Sequence, residues 1–488
     1  MLAVRASTRR LFFAASVCLV AALAASPHHA APPPAVQAKS TPFRTLHVKL
    51  KDVSTKAHFA AMHTAGTADG EYVGMLFAPV IGEDARGHWV QVKVPNNRID
   101  ASIADLQSEP DVLGVVLPPV TTYASETDVD TSLITADDSC PIKTPAFDEL
   151  QGYLGPAPAG IDAPAAWKRG LRCDGVWFAD IEGGWNAQHE DIHGERVTHV
   201  GGRNMTDPAW RAHGTAVLGE VVGRDNGVGV TGIAPDVSRV FTSSSMGSNV
   251  ATAIDTAARN LRAGDVLLIE LQSNGPRGRW IPVEYWDDVY DAIRTATDRG
   301  VVVIEAAGNG GEDLERDNYK GKLTRRGKGA RDSGAIMVGA GGPPRDGFID
   351  RARLDFSNYG SRVDVQGWGR KVATLDYGDL QKCAGADRHY TGEFSGTSSA
   401  SPIVAGAAIL VEEAARGQSA VLAPRAVRAL LAKTGTPQTG DTRQNIGPRP
   451  DLQRALGNVH SDFKTTFGWD ATLAPDDGAA WRGVLVDD

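Results

Sequence analysis

DRGVVVIEAAGNG, residues 298–310, decides the fold. Val301-Val302-Val303-Ile304 is an unbroken apolar run, too short for a helix, and it ends in the small residues and amide of Ala306-Ala307-Gly308-Asn309. A strand apolar on both faces must be covered on both faces, which is the pattern of a parallel sheet between helices. The same reading holds on either side. Strands are predicted at Val176–Ile181, Ser238–Thr242, Val266–Ile269, Val301–Ala306, Ile336–Ala340 and Val363–Gln366. Helices are predicted at His213–Gly223, Val283–Arg299, Ser399–Ala415 and Pro424–Lys433. This alternation gives an α/β fold, with a doubly wound, mostly parallel sheet whose sites lie at the carboxyl ends of its strands.

Around this block, assigned to residues 151–440, the composition changes. Residues 1–25 read as a signal peptide: Arg5, Arg9 and Arg10 precede the apolar run Leu11–Leu23, and Ala22-Leu23-Ala24 offers a small-x-small cleavage pattern. The run is shorter than the ~20 residues a membrane span needs, so export is expected rather than stable membrane association. Residues 26–41 are Pro- and Ala-rich and read as a linker. Residues 42–122 read as a small α+β unit, with alternating strands at Thr45–Leu50 and Trp89–Val94 and helical spacing over Ile99–Leu106. Residues 123–150 form an acidic, aperiodic connector open to cleavage. Residues 441–488 are weakly patterned and read as a tail.

A net charge of −9 with no basic block argues against nucleic-acid binding. Beyond the signal, Cys140, Cys173 and Cys383 remain. In an oxidising compartment two can pair, and the sequence leaves open which two, or whether all stay reduced.

Three windows carry the residues of nucleophilic catalysis. VWFADIEGG (176–184) ends an apolar strand with Asp180 and then turns on a Gly pair. HGTAV (213–217) opens a helix with His213, and GTSSASP (396–402) opens another at Ser398. A serine hydroxyl needs a neutral imidazole to take its proton, and the imidazole needs a buried carboxylate to fix its tautomer. Asp180 is favoured for that role over Asp191 because it directly ends the strand, and Glu182 reads as a surface residue. Ser398 sits where a helix N-terminus offers unpaired N–H groups, and Pro402 suits the first turn. Asn309 can offer its side-chain N–H₂ as a second donor to an oxyanion.

With these residues in place the chain resembles the subtilisin-like serine peptidases, over about Gly175 to Ala415. HGTAVLGEVVGRDNGVGVTGIAP (213–235), FSNYGSRVDVQGWG (356–369) and FSGTSSASPIVAGAA (394–408) are similar to that family's motifs, and Asp, His, Asn and Ser arrive in its order. The resemblance implies a secreted serine endopeptidase acting on polypeptides, with no cofactor in its chemistry. It implies that the upstream unit is a propeptide and intramolecular inhibitor, processed in the acidic connector. It also implies a structural calcium, with Asp191 and Asn226 at matching positions; calcium prefers oxygen ligands. One departure bears on specificity. Glu270-Leu271-Gln272 stands where the family reads Ser-Leu-Gly-Gly and lines the pocket for the residue before the cut; Glu270 there would bias the enzyme toward basic or polar side chains. A catalytically silent binding protein on the same fold is the alternative, disfavoured because all four chemical residues are present. An esterase would show Gly-x-Ser-x-Gly, which is absent.

Overall fold

The computed structural model describes residues 43–51, 88–125, 140–173, 175–383 and 385–459. The expected signal peptide, the linker and residues 126–139 of the connector lie outside the described residues.

In chain order the strands are β1 (Phe43–Leu50), β2 (His88–Pro95), β3 (Val112–Val116), β4 (Thr121–Tyr123), β5 (Phe178–Glu182), β6 (Val197–Gly201), β7 (Val240–Ser244), β8 (Val266–Ile269), β9 (Leu271–Asn274), β10 (Trp280–Pro282), β11 (Val302–Ala306), β12 (Ile336–Gly341), β13 (Val365–Trp368), β14 (Val372–Leu375) and β15 (Tyr390–Phe394). The helices are α1 (Ile99–Ser108), α2 (Ala163–Trp167), α3 (Pro208–Val222), α4 (Val250–Ala258), α5 (Asp287–Asp298), α6 (Thr397–Arg416), α7 (Pro424–Thr434) and α8 (Leu452–Asn458).

The predicted parallel sheet is present, in the order β13-β12-β11-β8-β5-β7-β6. Each neighbouring pair is parallel. Its central strands are fully buried, because α6 with its Ile403, Val404, Ala407 and Leu410 covers one face and α4 and α5 cover the other. The chain leaves β5 for one side of the sheet and β8 for the other. Their carboxyl ends therefore flank the crevice where a doubly wound sheet places its site.

Besides shifts of one or two residues at strand ends and the start of α5 at Asp287 rather than Val283, three differences from the sequence reading bear on the site and the core. Helix α3 begins at Pro208, with Asp207 accepting from the N–H groups of Ala209 and Trp210. Asp-Pro is the start signal, so His213 lies in the second turn rather than at the helix opening. Helix α6 begins at Thr397, so Pro402 lies inside it rather than in its first turn. The tail joins the core as far as Val459: Leu452, Ala455 and Leu456 of α8 are buried in the main cluster, and the Leu452 N–H donates to the Ile161 carbonyl.

The N-terminal unit pairs β1 antiparallel with β2 and β3. Strand alternation puts Leu46, Val48, Val90 and Val92 into a small core with Leu106 of α1. The opposite face meets the main domain. Trp89 is buried in the same cluster as Ile254 of α4 and Ile293 of α5, and its Nε1 donates to Asp291. Lys49 pairs with Asp291 at 2.7 Å, and His47 Nδ1 lies 2.5 Å from Asp288 Oδ2.

Cys140 and Cys383 are bonded to each other, which closes the question the sequence left open. Cys173 is free, and burial raises its pKa above the usual thiol range.

Because α8 is core and not tail, Leu452→Ala is expected to destabilise the protein by about 2–5 kcal/mol. A lower urea midpoint at unchanged slope would register the loss.

Candidate active site

Strand β5 delivers two carboxyls. Residues two apart on a strand share a face, so Asp180 and Glu182 both point toward α3. Glu182 is the last residue of the strand, and its Oε1 lies 2.6 Å from His213 Nδ1. Asp180, one pleat back (roughly 6.6 Å along the strand), accepts a hydrogen bond from Trp185 Nε1 at 2.7 Å. The sequence reading that gave Asp180 to His213 is therefore corrected. The strand runs one residue further than its apolar run, and Glu182 occupies the position beside the imidazole. Glu182 is fully buried, not on the surface. The signal was in the sequence: Gly183-Gly184, the turn after the strand, follows Glu182 directly. A side chain on Gly214 would strike the Gly184 carbonyl at 2.3 Å, so that glycine lets α3 approach β5 closely enough for the pair to form.

His213 is sealed from solvent. Tyr123 stacks on its ring at 4.6 Å, and Phe394 meets it edge-on at 5.4 Å. Burial lowers its pKa to about 3, so at neutral pH the imidazole is uncharged. With Nδ1 turned to Glu182, Nε2 has no hydrogen-bond partner in the closed site, and neither has Ser398 Oγ.

The segment that carries Tyr123 passes through the crevice as an extended strap. β4 pairs antiparallel with β9, Tyr123 opposite Leu271 and Thr121 opposite Ser273, while β10 pairs with the other edge of β9. The Ala124 N–H donates to the Glu270 carbonyl. The Ala124 carbonyl then accepts two hydrogen bonds, from the Ser398 N–H at 3.1 Å and from Asn309 Nδ2 at 2.6 Å. Asn309 cannot turn its amide over, because its Oδ1 accepts from both the N–H and the hydroxyl of Thr397. Gly396, at φ 104°, lies against the same carbonyl: a Cβ there would sit 2.3 Å from the Ala124 oxygen.

The three residues expected to line the substrate pocket are brought together. Leu271 is buried in the sheet. Gln272 spans the crevice, its Nε2 donating to the Tyr123 carbonyl and its Oε1 accepting from the Asn309 N–H. The Glu270 carboxyl is fully buried, and both its oxygens, like the Ser398 Oγ, are without a hydrogen-bond partner.

The site is thus crowded with carboxyls. Burial raises the pKa values of Asp180, Glu182 and Glu270 well above the usual range, and mutual repulsion adds to this for Asp180 and Glu270. Only Glu182 faces the imidazole N–H.

Asp191 and Asn226 also meet. Asn226 Nδ2 donates to Asp191 Oδ1 at 2.9 Å, and the Val230 N–H donates to Oδ2. Burial pushes the Asp191 pKa up to about 7. Both carboxylate oxygens are engaged by N–H donors, so the pair closes a turn and does not fit the open oxygen cage that calcium requires. Among the described residues no group of three or more His, Cys, Asp or Glu is placed to hold a metal.

The sequence model of the Subtilase family matches residues 129–463. Subtilisin BL of Lederbergia lenta is 30% identical over 259 residues, covering 52% of this chain and 82% of that protein. The intracellular serine protease of Paenibacillus polymyxa is 29% identical over 269 residues, covering 52% and 72%. Among solved structures, the epidermin leader peptide processing serine protease of Staphylococcus aureus superposes with a TM-score of 0.57 at 18% identity, over 86% of this chain and 99% of that one. Fervidolysin of Fervidobacterium pennivorans gives 0.58 at 16%, over 88% and 62%. These two likenesses are of fold.

The two β5 carboxyls are separable by substitution. Glu182→Gln is expected to lower kcat about 10⁴-fold, because an amide cannot hold the imidazole in the required tautomer. Asp180→Asn keeps an acceptor for Trp185 and is expected to cost less than about tenfold on the same scale. Steady-state kinetics on a peptide substrate would distinguish them.

Proposed function

The chain belongs to the subtilase family and is a serine endopeptidase, and on that premise we propose that it works through Ser398, His213, Glu182 and Asn309, and that its first substrate is its own Ala124–Ser125 bond. The observation that carries this is the Ala124 carbonyl, held by Ser398 N–H and Asn309 Nδ2 as the oxygen of a bond about to be cut would be.

In this mechanism Ser398 Oγ attacks the Ala124 carbonyl carbon while its proton passes to His213 Nε2. Glu182 stabilises the imidazolium through Nδ1–H. The two N–H donors hold the oxyanion. The C–N bond then breaks, and His213 returns the proton to the Ser125 amine, leaving Ala124 as an ester on Ser398. Water attacks that ester with His213 again as base, freeing the Ala124 carboxylate and restoring the serine. Apart from the attacking water, which supplies the proton that restores Ser398, every acting group comes from the chain itself, so the proposed steps use no cofactor.

The strap and the unit behind it serve in this reading as propeptide and inhibitor. Trp89, Lys49 and His47 fasten the unit to α4 and α5, so the strap is held in place by more than its own β-pairing. Substrates are read the same way: a strand added to β9, an aromatic residue over His213, and next to it a small residue between Glu270 and Ser398. The pairing of Tyr123 with Trp210 at 4.8 Å supports the aromatic preference, and Ala124 supports the small one. This replaces the preference for basic side chains expected from Glu270, whose carboxyl is buried against Ser398. The basic, then apolar, then small-residue pattern of residues 1–25 supports export. No helix among the described residues is long and apolar enough to cross a membrane.

Refolded full-length protein is expected to yield a new N-terminus at Ser125, and Ser398→Ala to stay uncut. N-terminal sequencing of the two would check this; a cut in the Ser398→Ala chain, or none in the wild type, sinks the reading. Asn309→Leu is expected to slow the cut by about 10²–10³-fold, the loss known for such a donor in subtilisin, a relative. The rate of appearance of the shortened chain measures it.

A further inference from the structure

Glu270 has no role in the mechanism above, yet its buried carboxyl acts on Ser398 across the crevice, and neither its oxygens nor the Ser398 Oγ has a hydrogen-bond partner. It stands at the turn between β8 and β9, where its backbone carbonyl takes the Ala124 N–H and its side chain points into the protein. The groups that face it come from each element around the crevice. From β5 come Asp180 and Glu182, from α3 Glu220, and from the start of α6 the Ser398 hydroxyl. Glu220 is buried, and neither of its oxygens has a hydrogen-bond partner. His213, on the same helix, is paired with Glu182. On the neighbouring β11, Glu305 is committed to the Glu284 N–H. The largest influences on Glu270 are burial, three carboxyls and the Ser398 hydroxyl, with no cation among them.

This asymmetry assigns the protons. Two carboxylates that act on each other in a dry site repel when both are charged, so one stays neutral. Glu182 has the imidazole N–H to stabilise its charge, while Glu270 has only a serine hydroxyl. The charge belongs on Glu182 and the proton on Glu270. The consequence falls on Ser398. A neutral carboxylic acid can donate its O–H to the serine oxygen, which leaves the serine's own O–H free for His213. A carboxylate can only accept, and the one donor within its reach is that same serine O–H.

We propose that Glu270 is a positioning residue that gates Ser398: protonated, it leaves the serine proton to His213; ionised, it takes the serine O–H for itself and holds the nucleophile off. The gate closes as pH rises. Activity is present while Glu270 holds its proton and is lost as pH passes through its titration. The opposite limb, at acid pH, belongs to the Glu182–His213 pair titrating as a unit. This rests on the reading of Ser398 as nucleophile.

The test follows self-cleavage at Ala124–Ser125 in the refolded full chain, from pH 6 to pH 10, as a first-order rate. For each variant the rate at alkaline pH is divided by its own rate at pH 6, which removes any general loss of activity. The wild-type ratio is expected to fall at least tenfold across the range. In Glu270→Gln, isosteric and unable to ionise, the alkaline fall is expected to disappear. Glu270→Ser, smaller and also non-titrating, is expected to do the same, so the result does not depend on one variant folding. Profiles of both variants that superimpose on the wild type overturn the gate and leave the serine mechanism standing. Wild-type protein uncut at every pH, or a cut in Ser398→Ala, overturns the nucleophile and the gate with it.

Discussion

Taking His213 out of water is the step on which the rest of the site depends. Tyr123, Phe394 and helix α3 enclose the ring, and in that enclosure the charged imidazolium is strongly disfavoured. A neutral imidazole is a ready base, but the charge it gains during reaction must then be stabilised from within. Glu182 is positioned to do this, and it is buried for the same reason. Desolvation of one catalytic group thus forces desolvation of its partner. The crowd of carboxyls around the crevice is the outcome.

The donors of the proposed oxyanion site are fixed by the fold. Asn309 is oriented by two donors from Thr397, and the Ser398 N–H, at the start of a twenty-residue helix, has no acceptor within the helix and points to the Ala124 carbonyl. Both elements are rooted in the sheet core, so their donors need no rearrangement when a carbonyl approaches. The strap exploits this by offering a main-chain carbonyl in extended form, aligned by its ladder to β9. The backbone pairing holds the strap, and Trp210 and Gln272 both engage Tyr123, the first at its ring and the second at its carbonyl.

The sheet was legible because its strands are short, apolar on both faces and regularly spaced, so the predicted and observed strands coincide within two residues. His213 and Ser398 were legible because each lies in a long motif, and Asn309 because it follows the end of a buried strand. Glu182 was misread because a charged residue at the end of an apolar run resembles the first residue of a turn; only its partner, 31 residues on, shows that it is buried. β6 and the β14–β15 hairpin have no clear periodicity and are held by tertiary pairing. The strap was invisible. Thr121-Thr122-Tyr123 carries no signal of its own, and its strand partner lies about 150 residues away. The disulfide was undetermined because three thiols admit three pairings, and only the folded chain brings Cys140 to Cys383.

Under the proposed cut at Ala124–Ser125, that disulfide gives the two sides of the bond different fates. The stretch ending at Ala124 holds no cysteine from Phe43 onward, so once cut it is kept by packing and β-pairing alone. The stretch beginning at Ser125 is leashed at Cys140, fifteen residues on, and can stray no more than roughly 50 Å. A tethered amine stays at a local concentration in the millimolar range, beside an acyl group it can rejoin. Breaking the bond is then only half of maturation. What makes it irreversible is the departure of the untethered half, so the grip of the N-terminal unit on α4 and α5, rather than the chemistry, is placed to set the pace.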